Sequence, residues 1–318
     1  MLRLAHRILN QRTIPDVYPE WSRKAAVQMF TLSQELLRRR CPVILADNVA
    51  VYLNERRRDG EKSPLFADYP PSPPPFNIFF IESNLPPVVH FRQPDRAVTT
   101  KEFGYFQEGA LFLTESRVER IRADTRLIND YGKENTEKAR WLLVGQRFAA
   151  VTNGIALPYV LMDILLDENG HIIVCAARPL IDDQWIGDGD AGAAVFLMTM
   201  SFLQCKNVAC LDSTESEGPS PKWCRRQNVP ELKYHTLQID PNISARPRAG
   251  ERKTEGDRSG KALHICRGHF AHFVDDGVSI GLFGRRQFGT FWIPAHTRGS
   301  LEHGSVVSTY NVKVPCNS

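Results

Sequence analysis

Six of the nine histidines in this chain, at positions 235, 264, 269, 272, 296 and 303, lie beyond residue 221, and the arginines most able to work with them lie there too. In LHICRGHFAHF, strand alternation puts His264, Cys266 and Gly268 on one face and Ile265, Arg267 and His269 on the other. Arg285 and Arg286 fall in GLFGRRQFG, and His296 and Arg298 follow Trp292 in TFWIPAHTRGS. If these strands form a meander, the cations converge with Phe283, Phe288 and Trp292 between them. Arg267, Arg285, Arg286, Arg298 and Trp292 are then a candidate nucleic-acid-binding set, because phosphates take the charges and bases stack on rings. His264, His269, His296 and Arg298 are the catalytic candidates of an alternative reading, a metal-independent nuclease. There, imidazoles serve as general acid and base and a guanidinium steadies the developing phosphorane charge. The bland alternative is a small β fold with Trp292 as its core and the Arg and His side chains as a solvated face.

Other constellations carry less chemistry. Gly187, Gly189 and Gly192 spell G-x-G-x-x-G, with Asp212 at the distance of a ribose-binding carboxylate. Asp188 and Asp190 would repel a pyrophosphate, however, and ARPLIDDQW separates the glycines from the strand HIIVCAA, so an acidic loop capping a helix is expected instead. The carboxylates Asp182, Asp183, Asp188 and Asp190 lack the spacing of a calcium loop. Cys205, Cys210, Cys224 and Cys266, with His264 or His269, match no zinc ribbon or knuckle, and buried free thiols are expected. No cofactor and no metal are therefore predicted. Walker A, G-x-S-x-G and H-E-x-x-H patterns do not occur, which excludes the readily recognised NTPases, α/β-hydrolases and zincins.

The elements that must position these residues follow from periodicity. SRKAAVQMFTLSQELLRRRCP places Ala25, Met29, Leu32 and Leu36 on one helix face, with Ser22 as cap and Pro42 as stop, and a second helix is expected from Asp47 through Leu53. YPPSPPPF reads as an extended linker. NIFFIES, VVHFR and YFQEGALFLTES read as antiparallel strands, and residues 116 to 143 as helix in two pieces around Tyr131 and Gly132. PYVLMDILLDENGHIIVCAARP is a hairpin turning at Asn169-Gly170, and residues 191 to 204 form an apolar helix covering the sheet. KYHTLQI is a short strand inside a polar, basic stretch, and VVSTYNVKV closes a C-terminal β module. The expected fold class is α+β: an N-terminal helical pair, a mainly antiparallel sheet with a buried helix, and a small C-terminal β module. The expected division is an N-terminal helical region 1–69, an α+β core 76–212, a polar and basic linker 213–260 and the C-terminal β module 261–318.

Charge sharpens the expectation about partners. The chain of 318 residues has a net charge of +4, yet from Lys222 onward 15 Lys and Arg face 8 Asp and Glu, whereas residues 1 to 221 carry an acidic excess. Such asymmetry suits nucleic acid, DNA or RNA, or an acidic protein partner. The seven scattered cysteines suit a reducing, cytoplasmic setting. The opening MLRLAHRILNQRTIP lacks the apolar core of a secretory signal, and the longest apolar run, Ala191 to Gln204, is too short to cross a bilayer, so no membrane partner is expected.

SFLQCKNVACLD, KYHTLQI, LHICRGHFAHF, GLFGRRQFGTFWIPAHTRGS and VVSTYNVKV, taken in that order, resemble a widespread group of uncharacterised proteins of tailed phages, prophages and other bacterial mobile elements. The elements R-G-H-F and L-F-G-x-x-x-x-G-x-F-W-x-P-x-H-x-R-G carry the likeness, which covers mainly residues 196 to 314, with a looser similarity in PPPFNIFFIE. The resemblance implies a phage or mobile-element context and transfers no catalytic role. The expected function is a nucleic-acid-interacting protein acting through its basic C-terminal face, with the nuclease, or a structural or protein-interaction component, as alternatives.

Overall fold

A computed structural model describes residues 2–39, 41–47, 49–50, 70–84, 90–93, 96–99, 107–150, 155–181, 189–212, 218–239, 262–266, 269–277, 287–293, 296–298 and 300–305. The N-terminal part contributes helices α1 (Leu4–Asn10) and α2 (Glu20–Arg38), then strands β1 (Val43–Leu45), β2 (Ile78–Ser83), β3 (His90–Gln93), β4 (Arg96–Thr99) and β5 (Gln107–Glu115). Three short helices follow, α3 (Val118–Ala123), α4 (Thr125–Tyr131) and α5 (Lys133–Lys138). Next come β6 (Trp141–Ala150), β7 (Ala156–Leu166), β8 (Ile172–Pro179), α6 (Gly189–Leu203), β9 (Val208–Asp212), α7 (Pro221–Gln227) and β10 (Tyr234–Ile239). The C-terminal strands are β11 (Ala262–Cys266), β12 (His269–Phe273), β13 (Gly289–Ile293), β14 (His296–Arg298) and β15 (Ser300–Ser305).

Eight strands form one sheet in the order β8-β7-β6-β5-β2-β1-β10-β9. It is mainly antiparallel, but β1 runs parallel to both β2 and β10. The chain is thus α+β, with N-terminal helices and small C-terminal sheets, β14-β11-β15 and β12-β13. The central strands are apolar on both faces because helices cover both. Ile44, Phe79, Ile81 and Phe112 pack with Phe196 and Met198 of α6. Their neighbours Val43, Leu45, Phe80 and Leu111 pack with Leu4, Ile8, Phe30 and Leu37 of α1 and α2 and with Cys224 of α7. Ile121, Leu127 and Ala139 close over Leu142 and Leu165 at the other end of that face.

Several expectations change in detail. Helix α2 forms, with the expected Leu36 buried, but the rest of its buried face is Ser22, Ala26, Phe30, Ser33 and Leu37, and Leu32 stays 38% exposed. Ser22 lies within the helix rather than capping it, and its hydroxyl donates to the Leu180 carbonyl at 2.5 Å. Ser33 donates to Gln146 Oε1 at 2.7 Å. Two serines on the inner face hide its periodicity from an apolar count. The second helix is seen only at Asp47, Val49 and Ala50, and the rest of that expectation, through Leu53, lies outside the described residues.

The proline segment is no free linker where it is described. Ser72 is buried, its N–H donates to the Gly170 carbonyl at 3.0 Å, and its hydroxyl meets that of Ser201 on α6. Gly170, at φ 88°, turns the β7–β8 hairpin so tightly against this strap that a Cβ would lie 2.5 Å from the Pro73 nitrogen. VVSTYNVKV and the stretch 240–261 lie outside the described residues.

Candidate nucleic-acid interface

LHICRGHFAHF does not run as one strand. It divides into β11 and β12, which pair with different partners, so the alternation expected from His264 through His269 is broken after Cys266. The β11–β14 register sets His264 opposite Arg298 and Cys266 opposite His296. Directly opposed positions of an antiparallel pair share a face, as do positions two apart on one strand, so these four occupy adjacent positions on one side of the ladder. His269 stands on the other ladder, opposite Ile293, with its side chain exposed. Arg267, Arg285 and Arg286 lie outside the described residues.

Trp292 departs from its expected role. It is 5% exposed, with its ring centroid 4.7 Å from Phe202 on α6 and 4.9 Å from Phe270 on β12. A ring so enclosed offers no face to a base, so Trp292 belongs to the core and not to a stacking surface. Its backbone is held as firmly. Asn207, buried between α6 and β9, accepts from the Trp292 N–H at 2.9 Å and donates to the Trp292 carbonyl at 2.7 Å. Lys206 N–H adds a bond to the Thr290 carbonyl at 2.9 Å. The β12–β13 hairpin is thereby stitched to the end of α6, where the side-chain amide of Asn207 stands in for a neighbouring strand.

Three polar clusters escaped the sequence reading because their members are far apart in the chain. Glu108, on β5, accepts from Arg147 Nε at 3.0 Å, from its terminal nitrogen and from the Tyr159 hydroxyl, and the Arg147 guanidinium lies against the Phe196 ring. Burial opposes the Arg147 charge, but Glu108, Tyr159 and Cys175 together more than offset it, and its pKa is raised. Ser83 stands opposite Glu108 on β2, with its hydroxyl buried and unpartnered. Asp163 on β7 is buried and accepts from Arg126, Tyr131 and Arg178 at 2.6, 2.8 and 2.7 Å, which ties α4 and β8 to β7.

The third cluster has the members of a nucleophilic dyad. Cys224 Sγ lies 3.8 Å from His6 Nε2, and His6 Nδ1 lies 2.5 Å from the Tyr234 hydroxyl. Its electrostatics are wrong for attack. Burial lowers the His6 pKa to about 4 against a partly restoring bond to the Pro230 carbonyl, and burial with the nearby Glu231 charge raises that of Cys224. A neutral thiol beside a neutral imidazole, both about 1% exposed, is a packing joint.

Among the described residues no group of three or more His, Cys, Asp or Glu could hold a metal ion. Gly189, Asp190 and Gly192 fall in the first turn of α6, whereas Asp182, Asp183, Gly187 and Asp188 lie outside the described residues. The strand before this loop, β8, is an edge strand antiparallel to its neighbour, so the parallel βαβ unit of a dinucleotide fold is not built here. No described helix is long and apolar enough to cross a membrane. No family model, no curated protein and no solved structure matches the chain.

Proposed function

We propose that this chain is a cytoplasmic phage or mobile-element protein that contacts nucleic acid through its basic C-terminal strands. The observation that carries the reading is the β11–β14 register, in which His264 opposes Arg298 two positions from the Cys266–His296 pair. Arginine and histidine at paired strand positions are residue types suited to a phosphate, and the excess of 15 Lys and Arg over 8 Asp and Glu from Lys222 onward supplies the wider field. Arg267, Arg285 and Arg286 belong to the same proposed surface, while Trp292 is left out of it because it is buried. Free thiols at Cys41, Cys175, Cys205 and Cys224 support the reducing compartment.

The test is a titration of labelled single-stranded and duplex DNA and RNA at several salt concentrations. Wild type should bind with an affinity that falls steeply with salt, and Arg285→Glu with Arg286→Glu should weaken it at least tenfold. Negligible binding by wild type at physiological salt would sink the reading and leave a structural role or an acidic protein partner. The same register favours a second reading, phosphodiester cleavage by His264, His296 and Arg298, with His269 nearby in sequence. That reading requires cleavage to persist in EDTA in the same titration samples.

A further inference from the structure

We propose that the outer face of α7 is a second contact for nucleic acid, a single-stranded segment whose phosphates meet Lys222, Arg225 and Arg226. The inference rests on the reading above and adds a surface in a different layer of the molecule. Helix α7 belongs to the layer formed with α1 and α2, whereas Trp292 of the C-terminal hairpin joins the core under α6.

The helix is firmly seated. Ser220 caps it, accepting from the Trp223 N–H at 3.3 Å, Pro221 occupies its first turn, and Asn228 ends it in the left-handed conformation. Cys224, 1% exposed, faces inward with Val229 and Tyr234. At 100° per residue, Lys222, Arg225 and Arg226 then share the opposite side, three cations at i, i+3 and i+4 about 5–6 Å apart at Cβ. All three are exposed, as is Lys233 just before β10.

Arg23, Arg39, Arg117, Lys133, Lys138 and Arg178 each meet a carboxylate. Lys222, Arg225, Arg226 and Lys233 form no ion pair among the described residues, and the one acidic residue between Gly218 and Ile239, Glu231, pairs with none of them. Among the described residues the exposed Arg12, Lys24 and Arg38 of the α1–α2 segment are likewise without an ion pair, so what marks the α7 set is that three such cations share one short helix. Two cations in the last turn of a helix are favourable for its dipole, which accounts for Arg225 and Arg226 in part. That effect asks for no third cation in the first turn, where Lys222 stands against the dipole. Trp223, half-buried beside His6 with ring centroids 6.1 Å apart, flanks the cations with an aromatic edge that an acidic peptide would not need.

Full-length wild type, the triple variant Lys222→Glu/Arg225→Glu/Arg226→Glu, its triple Gln counterpart and Arg285→Glu/Arg286→Glu are titrated with a labelled oligo(dT) across a salt series, with far-UV circular dichroism on each. The triple Glu variant should bind at least tenfold more weakly, and the triple Gln variant should lose about two units of the log–log salt slope, the loss of three single-strand phosphate contacts. Binding by the folded Gln variant with the wild-type affinity and slope overturns the inference. If the Arg285/Arg286 variant alone loses binding, the α7 contact fails and the C-terminal reading stands. If the α7 variants alone lose it, the α7 contact stands and the C-terminal reading fails. Equal competition by polyglutamate would overturn nucleic acid as the occupant.

Discussion

Among single residues, His6 has the sharpest measurable consequence. Its pKa near 4 in the fold, against about 6.5 in an unfolded chain, means that it stays neutral while the unfolded state takes up a proton. Above pH 6.5 both states are uncharged at this position and His6 leaves stability unaffected by pH. As pH falls from 6.5 towards 4, only the unfolded state binds the proton, and His6 removes stability by up to roughly 3 kcal/mol. Urea unfolding of wild type and His6→Gln at pH 7.5, 5.5 and 4.5 measures this, and the glutamine variant should lose less stability on acidification. Parallel losses in the two proteins would show that His6 is not the titrating group. The same residue shows why the polar clusters were illegible in the sequence. His6 and Tyr234 are 228 positions apart, and Glu108 and Arg147 are 39 apart, so no local spacing announces either pair.

Elements with a strong local signature were legible, and those defined by distant pairing were not. Helix α6 and the β7–β8 hairpin stood out because an apolar run and an Asn-Gly turn specify themselves locally. Strand β1 has three residues, and its partners β2 and β10 come from positions 80–82 and 234–236, so only the assembled sheet defines it. The strand β6 is buried on both faces and carries Gln146 and Arg147, which removes alternation, and the helical expectation for residues 116 to 143 overruns its first three residues. In the candidate site, alternation placed His264 and Cys266 together, but the break before His269 lay in the tertiary pairing.

Gly170 offers a test of one such packed turn. Gly170→Ala adds a left-handed strain and a collision with the backbone of Ser72 and Pro73, and should cost at least about 2 kcal/mol. Gly277→Ala, also at positive φ but in open space, should cost less. Chemical denaturation of the two variants decides it, since equal losses would mean that the proline strap exerts no constraint on the turn.

At the scale of the whole molecule, the first helices and strand and the β12–β13 hairpin are interleaved with the sheet rather than added on. Strand β1 lies between β2 and β10, His6 of α1 touches Tyr234 of β10, and Asn207 holds both backbone groups of Trp292. Trp292 counts among the buried residues of the same core as Phe79, Phe112 and Phe196, although it lies more than 50 positions beyond Ile239, the end of the sheet's last strand in sequence. A hairpin sharing a core this way cannot release its apolar side chains without exposing Phe202 on α6, so its unfolding should be coupled to that of the sheet. The chain should therefore unfold in one transition, with far-UV circular dichroism and tryptophan fluorescence superimposing across a urea series. Trp292→Ala should lower that single midpoint and reduce the unfolding free energy by about 3–5 kcal/mol, because it removes a buried ring from a shared core. Two resolved transitions in wild type, with the earlier one abolished by Trp292→Ala, would instead make the β12–β13 hairpin an independent unit whose contacts with α6 contribute little to the fold.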